Sequence, residues 1–182
     1  MSNNSQIVIR ATAVVFAYNQ SHCIGETVRA VLDQDFDGLE IILSDDGSRD
    51  DTFEIMSAIA DSYVGSHRII LNKNKINLGF IGHLNQVFDL ASGPFIFFNP
   101  GDDISRPGRF EKLWAEYKRT NALLVHSDAM AITDAGEEIG IRSQQKELNG
   151  LTLEGGARSF SLCIGATCGW HRDLINIFGK II

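Results

Sequence analysis

The feature that most constrains the fold is a repeated alternation of short apolar runs with stretches at helical spacing. Residues 11–17 read Ala-Thr-Ala-Val-Val-Phe-Ala, a run apolar enough to be buried on both faces of a sheet. After a polar turn, Ile24, Val28, Val31 and Leu32 recur at the spacing of one helix face. Leu39 to Leu43 is a second buried run. It precedes a helical face of Phe53, Met56, Ala60 and Tyr63, for which Ser48 and Asp51 are the expected caps. Arg68 to Asn72 is a third strand, followed by Leu84, Val87, Phe88 and Ala91 on a helix. Phe95 to Phe98 is a fourth strand, followed by the stripe Phe110, Leu113, Trp114 and Tyr117. Leu123 to Ala131 is expected to form one further strand, ending in a turn at residues 133–136. Strand and helix in strict alternation predict an α/β domain with a mostly parallel sheet and helices on both faces.

Such sheets bind ligands at the carboxyl ends of their strands. That rule selects three loops. In the first, Ala17-Tyr18-Asn19, an aromatic ring at a strand end can stack on a planar base while Asn holds the turn. In the second, Asp45-Asp46 directly follows a buried strand, where paired carboxylates are costly without partners. A carboxylate at this place can accept a hydrogen bond from a base N–H. A phospho-acceptor site of the receiver type would also use acidic strand ends, but it wants a lysine after a later strand, and none is placed there. In the third loop, Asn99 to Ile104, Asp102 and Asp103 offer hard oxygen ligands suited to Mg²⁺ or Mn²⁺.

Composition narrows the partners. With 44% hydrophobic and 21% charged residues the chain is of ordinary globular type. A net charge of −7 argues against a nucleic-acid partner, whereas a nucleotide is compatible if a divalent cation offsets its phosphates. Cys23, Cys163 and Cys168 have no zinc spacing, and with no apolar leader at the start they read as reduced thiols of a cytoplasmic protein.

Taken together, the motifs resemble family 2 glycosyltransferases. The resemblance rests on Tyr18-Asn19 and Gln34, then on Glu40-Ile41-Ile42 leading into Asp45-Asp46-Gly47-Ser48-Arg49-Asp50-Asp51-Thr52. It continues through Asn77, Gly79 and Asn85, and through Asp102-Asp103 ahead of Pro107-Gly108-Arg109. It implies a GT-A-like, Rossmann-type sheet and an inverting, metal-dependent transfer of sugar from a nucleotide-diphosphate sugar, a UDP-sugar first, to a glycan or lipid-linked acceptor in polysaccharide biosynthesis. By the same resemblance Ala17, Tyr18, Asn19, Asp46, Gly79, Asp102 and Asp103 are donor-binding. Tyr18 lies against the base, Asp46 reads a base N–H, and Asp102 and Asp103 hold Mn²⁺ or Mg²⁺. Two positions depart from the family pattern: Pro100 stands where the first metal-motif Asp is expected, with Asn99 its nearest substitute, and Leu84 stands where a basic residue is usual.

The domain expectation is a flexible lead over 1–10, a nucleotide-sugar-binding domain over 11–131, and an incomplete acceptor-side region over 132–182. The chain reaches Ile182 before the place where the family's catalytic base is expected, so no catalytic residue is assigned. The alternative reading is a non-catalytic nucleotide-sugar-binding fragment or interaction module. The apolar tail from Leu174 to Ile182 is expected to pack on the sheet, to self-associate or to touch a membrane surface.

Overall fold

The computed structural model of the protein describes residues 8–133, 135–142 and 165–180. Its centre is a six-stranded sheet of order β3-β2-β1-β4-β8-β5. The strands are β1 (Ala11–Ala17), β2 (Leu39–Asp45), β3 (Arg68–Lys73), β4 (Phe95–Pro100), β5 (Leu124–His126) and β8 (Cys168–His171). β3, β2, β1 and β4 are mutually parallel, and β8 runs antiparallel to both β4 and β5. The helices are α1 (Ile24–Leu32), α2 (Thr52–Asp61), α3 (Gly79–Leu90), α4 (Arg109–Thr120) and α5 (Asp173–Phe178).

Alternation along the strands divides the core between the two faces. Ala13 and Val15 of β1, Ile41 and Leu43 of β2, and Phe95 and Phe97 of β4 meet α1, α2 and α4 on one side. Val14, Ile42, Ile96 and Phe98 meet α3 and α5 on the other. Burial of each Val, Leu, Ile or Phe among these contributes about 1.5–3 kcal/mol, so these central strands carry much of the driving force.

A charged group sits inside the sheet near the amino ends of its strands. Glu40 of β2 is fully buried, and it accepts hydrogen bonds from Thr12 Oγ1 at 2.9 Å, Ser92 N at 2.7 Å and Ser92 Oγ at 2.9 Å. Arg68 of β3 pairs with it at 3.0 Å from the solvent side. Three donors and a cation replace the water that the carboxylate gives up. The network ties β1, β2, β3 and the turn before β4 together at the amino ends of the strands, opposite the loops that carry the chemistry.

The structure corrects two expectations. The run from Leu123 to Ala131 is not one strand. Ser127 N turns aside to bond Thr167 O at 3.3 Å, and β6 (Ala129–Ile132) then pairs with β7 (Glu138–Arg142) in a separate two-stranded sheet. Neither Ser48 nor Asp51 caps α2: Ser48 turns back to the Asp45 carboxylate, and Asp50 Oδ1 accepts from Thr52 N at 3.2 Å. Burial would raise the Asp50 carboxyl, but hydrogen bonds from Thr52 and Ser21 outweigh it and hold that carboxyl far below its ordinary range. Of the options for the tail, packing on the sheet holds for Ile175, which lies against the α3-side core. Ile181 and Ile182, and residues 1–7 of the expected lead, lie outside the described residues. Arg10, in that same lead, stacks over Phe36 at 4.9 Å and Trp114 at 5.3 Å.

Residues after 131 return to the central sheet. β8 enters between β4 and β5, with Phe97 opposite Gly169. A Cβ at position 169 would collide with the Phe95 ring, so only glycine lets this strand lie flat against β4.

Candidate active site

The order of the parallel strands reverses between β1 and β4, and open α/β sheets bind ligands at that point. A cavity of about 480 Å³ lies there, at the carboxyl ends of β1, β2 and β4. Ala17, Tyr18, Asp46 and Gly79, four of the residues selected by sequence, line it together. Its walls are largely apolar, made by Phe16, Phe80, Ile81, Leu84, Phe98 and Trp170. Phe16 stacks on Phe98 with centroids 5.7 Å apart, and Phe98 meets Trp170 at 4.7 Å.

Backbone bonds from the end of β1 fix the flanking loops. Asp46 N donates to Ala17 O at 2.9 Å, and Gly101 N donates to Phe16 O at 2.7 Å. Thr27 Oγ1 of α1 also holds Gly101 O at 2.9 Å. Gly101 is packed so closely on Gln20 and the Phe16 carbonyl that a side chain there would clash. The loop bearing Asp102 and Asp103 is therefore pinned to the first strand through its backbone.

The two carboxylates of the second loop have different tasks. Asp45, fully buried, accepts from Ser48 N at 3.0 Å and from the Ser48 hydroxyl, closing the turn. Asp46 is 3% exposed, and its Oδ1 accepts from Asn74 Nδ2 at 2.8 Å and Leu78 N at 2.9 Å. Its Oδ2 has no protein donor among the described residues. Tyr18 is 42% exposed at the mouth. Asn19 does not line the cavity. It takes a left-handed backbone with φ 53°, accepts from Arg49 N at 2.9 Å and donates its own N–H to Ser48 Oγ at 2.8 Å, so that it clamps the first loop to the second.

Asp102 and Asp103 stand just outside the cavity, beyond its lining residue Pro100, and both are exposed. Loss of part of its water shell, then the neighbouring Asp102, push the Asp103 carboxyl up against the pull of Arg109. Among the described residues no group of three or more His, Cys, Asp or Glu side chains is arranged to hold a metal. Two adjacent carboxylates still suit Mg²⁺ or Mn²⁺, which take one or two protein oxygens and complete their shells with phosphate and water.

Asn99 cannot replace the missing acid at Pro100. It is 1% exposed and spends its amide on the fold, with Oδ1 accepting from Ser105 Oγ at 2.7 Å and Arg109 Nη1 at 2.9 Å. Arg109 also donates to Phe98 O at 3.2 Å and Ala166 O at 3.0 Å, and burial pushes its guanidinium down to about 10. This arginine latches the acidic loop to the segment before β8. Sequence reasoning noted Arg109 only as part of a motif, and it missed Asn74 entirely. The one available signal was the alternation Asn72-x-Asn74 at the end of β3.

The comparisons with known proteins fit this geometry. The profile of Glycosyl transferase family 2 matches residues 12–177. EpsE of Bacillus subtilis, which carries a glycosyltransferase name, is 32% identical over 133 residues, covering 73% of this chain and 46% of EpsE. The Escherichia coli protein WfaP, named as a UDP-Glc:α-D-GlcNAc-diphosphoundecaprenol β-1,3-glucosyltransferase, is 39% identical over 90 residues, covering 50% of this chain and 34% of WfaP. The chain thus spans about half or less of the length of these curated relatives. Two solved structures share the fold at a TM-score of 0.72. TarS of S. aureus in complex with UDP-GlcNAc is 18% identical and is matched over 93% of this chain and 47% of that one. Mannosyltransferase PcManGT of Pyrobaculum calidifontis with GDP-Man and Mn²⁺ is 17% identical, matched over 97% and 48%. With a profile match that runs from β1 into α5 and a cleft at the point where the strand order reverses, the chain belongs to glycosyl transferase family 2.

Proposed function

We propose that this chain is the donor-binding part of a glycosyltransferase, and that the cleft between β1, β2 and β4 holds the nucleotide of a nucleotide-diphosphate sugar. The observation that carries the reading is Asp46. It is a buried carboxylate with one oxygen bonded twice to protein and the other free, on the wall of an otherwise apolar cavity. A carboxylate so placed accepts a hydrogen bond from a base N–H, while Tyr18 at the mouth offers its face to the ring.

Asp102 and Asp103 would hold a divalent cation, Mn²⁺ or Mg²⁺, beside the diphosphate. When bound, such a cation offsets the phosphate charge and favours the nucleotide as a leaving group. The chain's own residues bind and orient the donor: the cavity walls exclude water from the base, and Arg109 with the Gly101 backbone hold the acidic loop in place. On this reading the reaction is an inverting displacement onto a glycan or lipid-linked acceptor, which the acceptor in the name of WfaP supports for the acceptor class alone. No acid among the described residues is placed as its catalytic base.

The test is calorimetric binding of UDP, GDP, CDP and ADP to the purified chain with and without Mn²⁺. Micromolar binding of one nucleotide diphosphate, enhanced by Mn²⁺ and lost in Asp46→Ala, is the expected result. A wild-type chain that binds none of the four overturns the reading.

A further inference from the structure

A single hydrogen-bond chain runs behind the cleft and joins two of the polar side chains that face it. His83 of α3 lines the cavity, and its Nε2 lies 2.6 Å from Ser44 Oγ on β2. Asn72 of β3 donates from Nδ2 to Ser44 Oγ at 2.9 Å and to Asn74 Oδ1 at 3.1 Å. Asn74 in turn donates to Asp46 Oδ1 at 2.8 Å. The parallel pairing of β2 with β3, which sets Ser44 opposite Asn72, puts these groups in line.

The direction of each bond follows from the inventory of donors. Ser44 Oγ already accepts from Asn72, and among the described residues its hydroxyl has no acceptor other than His83 Nε2. The hydroxyl therefore donates to Nε2, which leaves the imidazole proton on Nδ1. Nδ1 has no protein partner among the described residues. Burial holds the ring in its neutral form, against the opposing pull of Asp46 and Asp45 on β2, and Phe16 of β1 packs edge-on at 5.4 Å.

Both ends of this chain belong to residues that line the same cavity, and each keeps one polar atom without a protein partner among the described residues: an acceptor, Asp46 Oδ2, and a neutral donor, His83 Nδ1. A neutral donor beside two carboxylates suits an uncharged carbonyl oxygen better than a phosphate. The apolar walls formed by Phe16, Leu84 and Phe98 likewise suit a planar ring. We propose that His83 is a second base-reading residue, donating from Nδ1 to a ring carbonyl next to the N–H that Asp46 accepts. With the ring nitrogen held opposite Asp46, the pair favours an edge on which a ring N–H adjoins C=O, as in uracil and guanine; cytosine and adenine match the same donor–acceptor order only through an exocyclic amino group and a shifted ring. The inference rests on the reading of the cleft as a nucleotide site.

The experiment measures affinity for UDP, GDP, CDP and ADP, all with Mn²⁺, in the wild-type chain and in His83→Leu and Ser44→Ala. The wild type should prefer UDP or GDP. His83→Leu should lose about tenfold for that preferred nucleotide and much less for CDP and ADP, so that discrimination shrinks. Ser44→Ala should give a smaller loss in the same pattern, because the donor survives while its tautomer is no longer fixed. Equal loss for all four nucleotides, or a wild-type preference for CDP or ADP, overturns the role of His83 while leaving a nucleotide site. Failure of the wild type to bind any of the four overturns the site itself. A ¹⁵N NMR spectrum of the unaltered protein decides the matter without a variant. The His83 imidazole should carry its proton on Nδ1 and shift on addition of the preferred nucleotide but not of CDP. A proton on Nε2, or no response, overturns the proposal.

Discussion

Replacing Asp46 by asparagine tests the base-reading arrangement without emptying the space. The new side chain keeps a carbonyl oxygen where Oδ1 accepts from Asn74 and Leu78. It places an amide NH₂ where Oδ2, which has no protein donor among the described residues, now stands. Each of the two retained bonds falls from the charged to the neutral class, a loss of about 1 kcal/mol apiece. Stability should therefore drop by about 2 kcal/mol, which for a chain of this size lowers Tm by about 4–8 °C. The ligand effect is larger and has a sign. Against uracil, an accepting carboxylate becomes a donor that faces the ring N–H, so a charge-assisted bond worth about 1.5–3 kcal/mol is lost. UDP affinity should fall by about 10- to 150-fold. Cytosine presents an acceptor at the same ring position, so CDP should gain, by about fivefold for one neutral bond. Isothermal titration of both nucleotides with Mn²⁺ present, alongside a thermal melt, reads all three quantities. Parallel losses for UDP and CDP would refute the reasoning, because they would mean that Asp46 supports the loop and does not touch the base edge.

Three further outcomes follow from the same structure. Asp102→Asn should abolish most of the Mn²⁺ enhancement of nucleotide binding while leaving Tm within about 2 °C, since the residue is exposed and lies on a surface loop; undiminished enhancement would move the metal assignment to Asp103. Glu40→Ala strands the donors of Thr12 and Ser92 inside the sheet and should cost roughly 3 kcal/mol or more in urea unfolding, and a loss under 1 kcal/mol would show that water re-enters the site. Burial holds the folded-state pKa of His83 below its ordinary 6.5, so the unfolded chain takes up more protons on acidification. The contribution of the neutral ring is complete above about pH 6.5 and fades as the pH falls from there toward the folded-state value; urea unfolding at pH 7.5 and 5.5 should show a steeper loss in the wild type than in His83→Leu, and identical slopes would contradict a buried neutral ring.

Much of this architecture is legible in sequence because the central strands are apolar on both faces. The runs 11–17, 39–43 and 95–98 announce β1, β2 and β4 without help from tertiary context, and the strand-end rule then points to loops that border the cleft. β8 is not legible, because Cys168-Gly169-Trp170-His171 has neither the length nor the alternation of a strand. It is recruited by partners on either side, β4 and β5, that are remote in sequence. The caps of α2 were misread for a related reason: Ser48, Asp50 and Asp51 are all competent, and the choice is made by Asn19 and Ser21 reaching across from the first loop. At the site, sequence supplied Tyr18, Asp46 and Gly79 but not what aims them. The Asn74 and His83 contacts depend on the register of β2 with β3 and on the docking of α3, neither of which is written in any local pattern.

The insertion of β8 between β4 and β5 has a consequence for how the chain is made. β4 carries Phe95, Ile96, Phe97 and Phe98, and its outer edge is covered by a strand that begins roughly 70 residues further along. At a synthesis rate of about 5–20 residues per second, the ribosome needs roughly 4–14 s to supply that strand after β4 has emerged. During that interval the β3-β2-β1-β4 half can assemble, while an aromatic-rich border with unpaired backbone groups stays open to other nascent chains. β5, although made earlier than β8 and packed on α4, joins the sheet through β8, so the last two strands enter the sheet in the reverse of their order of synthesis. Pulse-labelled nascent chains stalled between residues 130 and 165 should accordingly bind chaperones or aggregate, and those extended beyond α5 should be released from both.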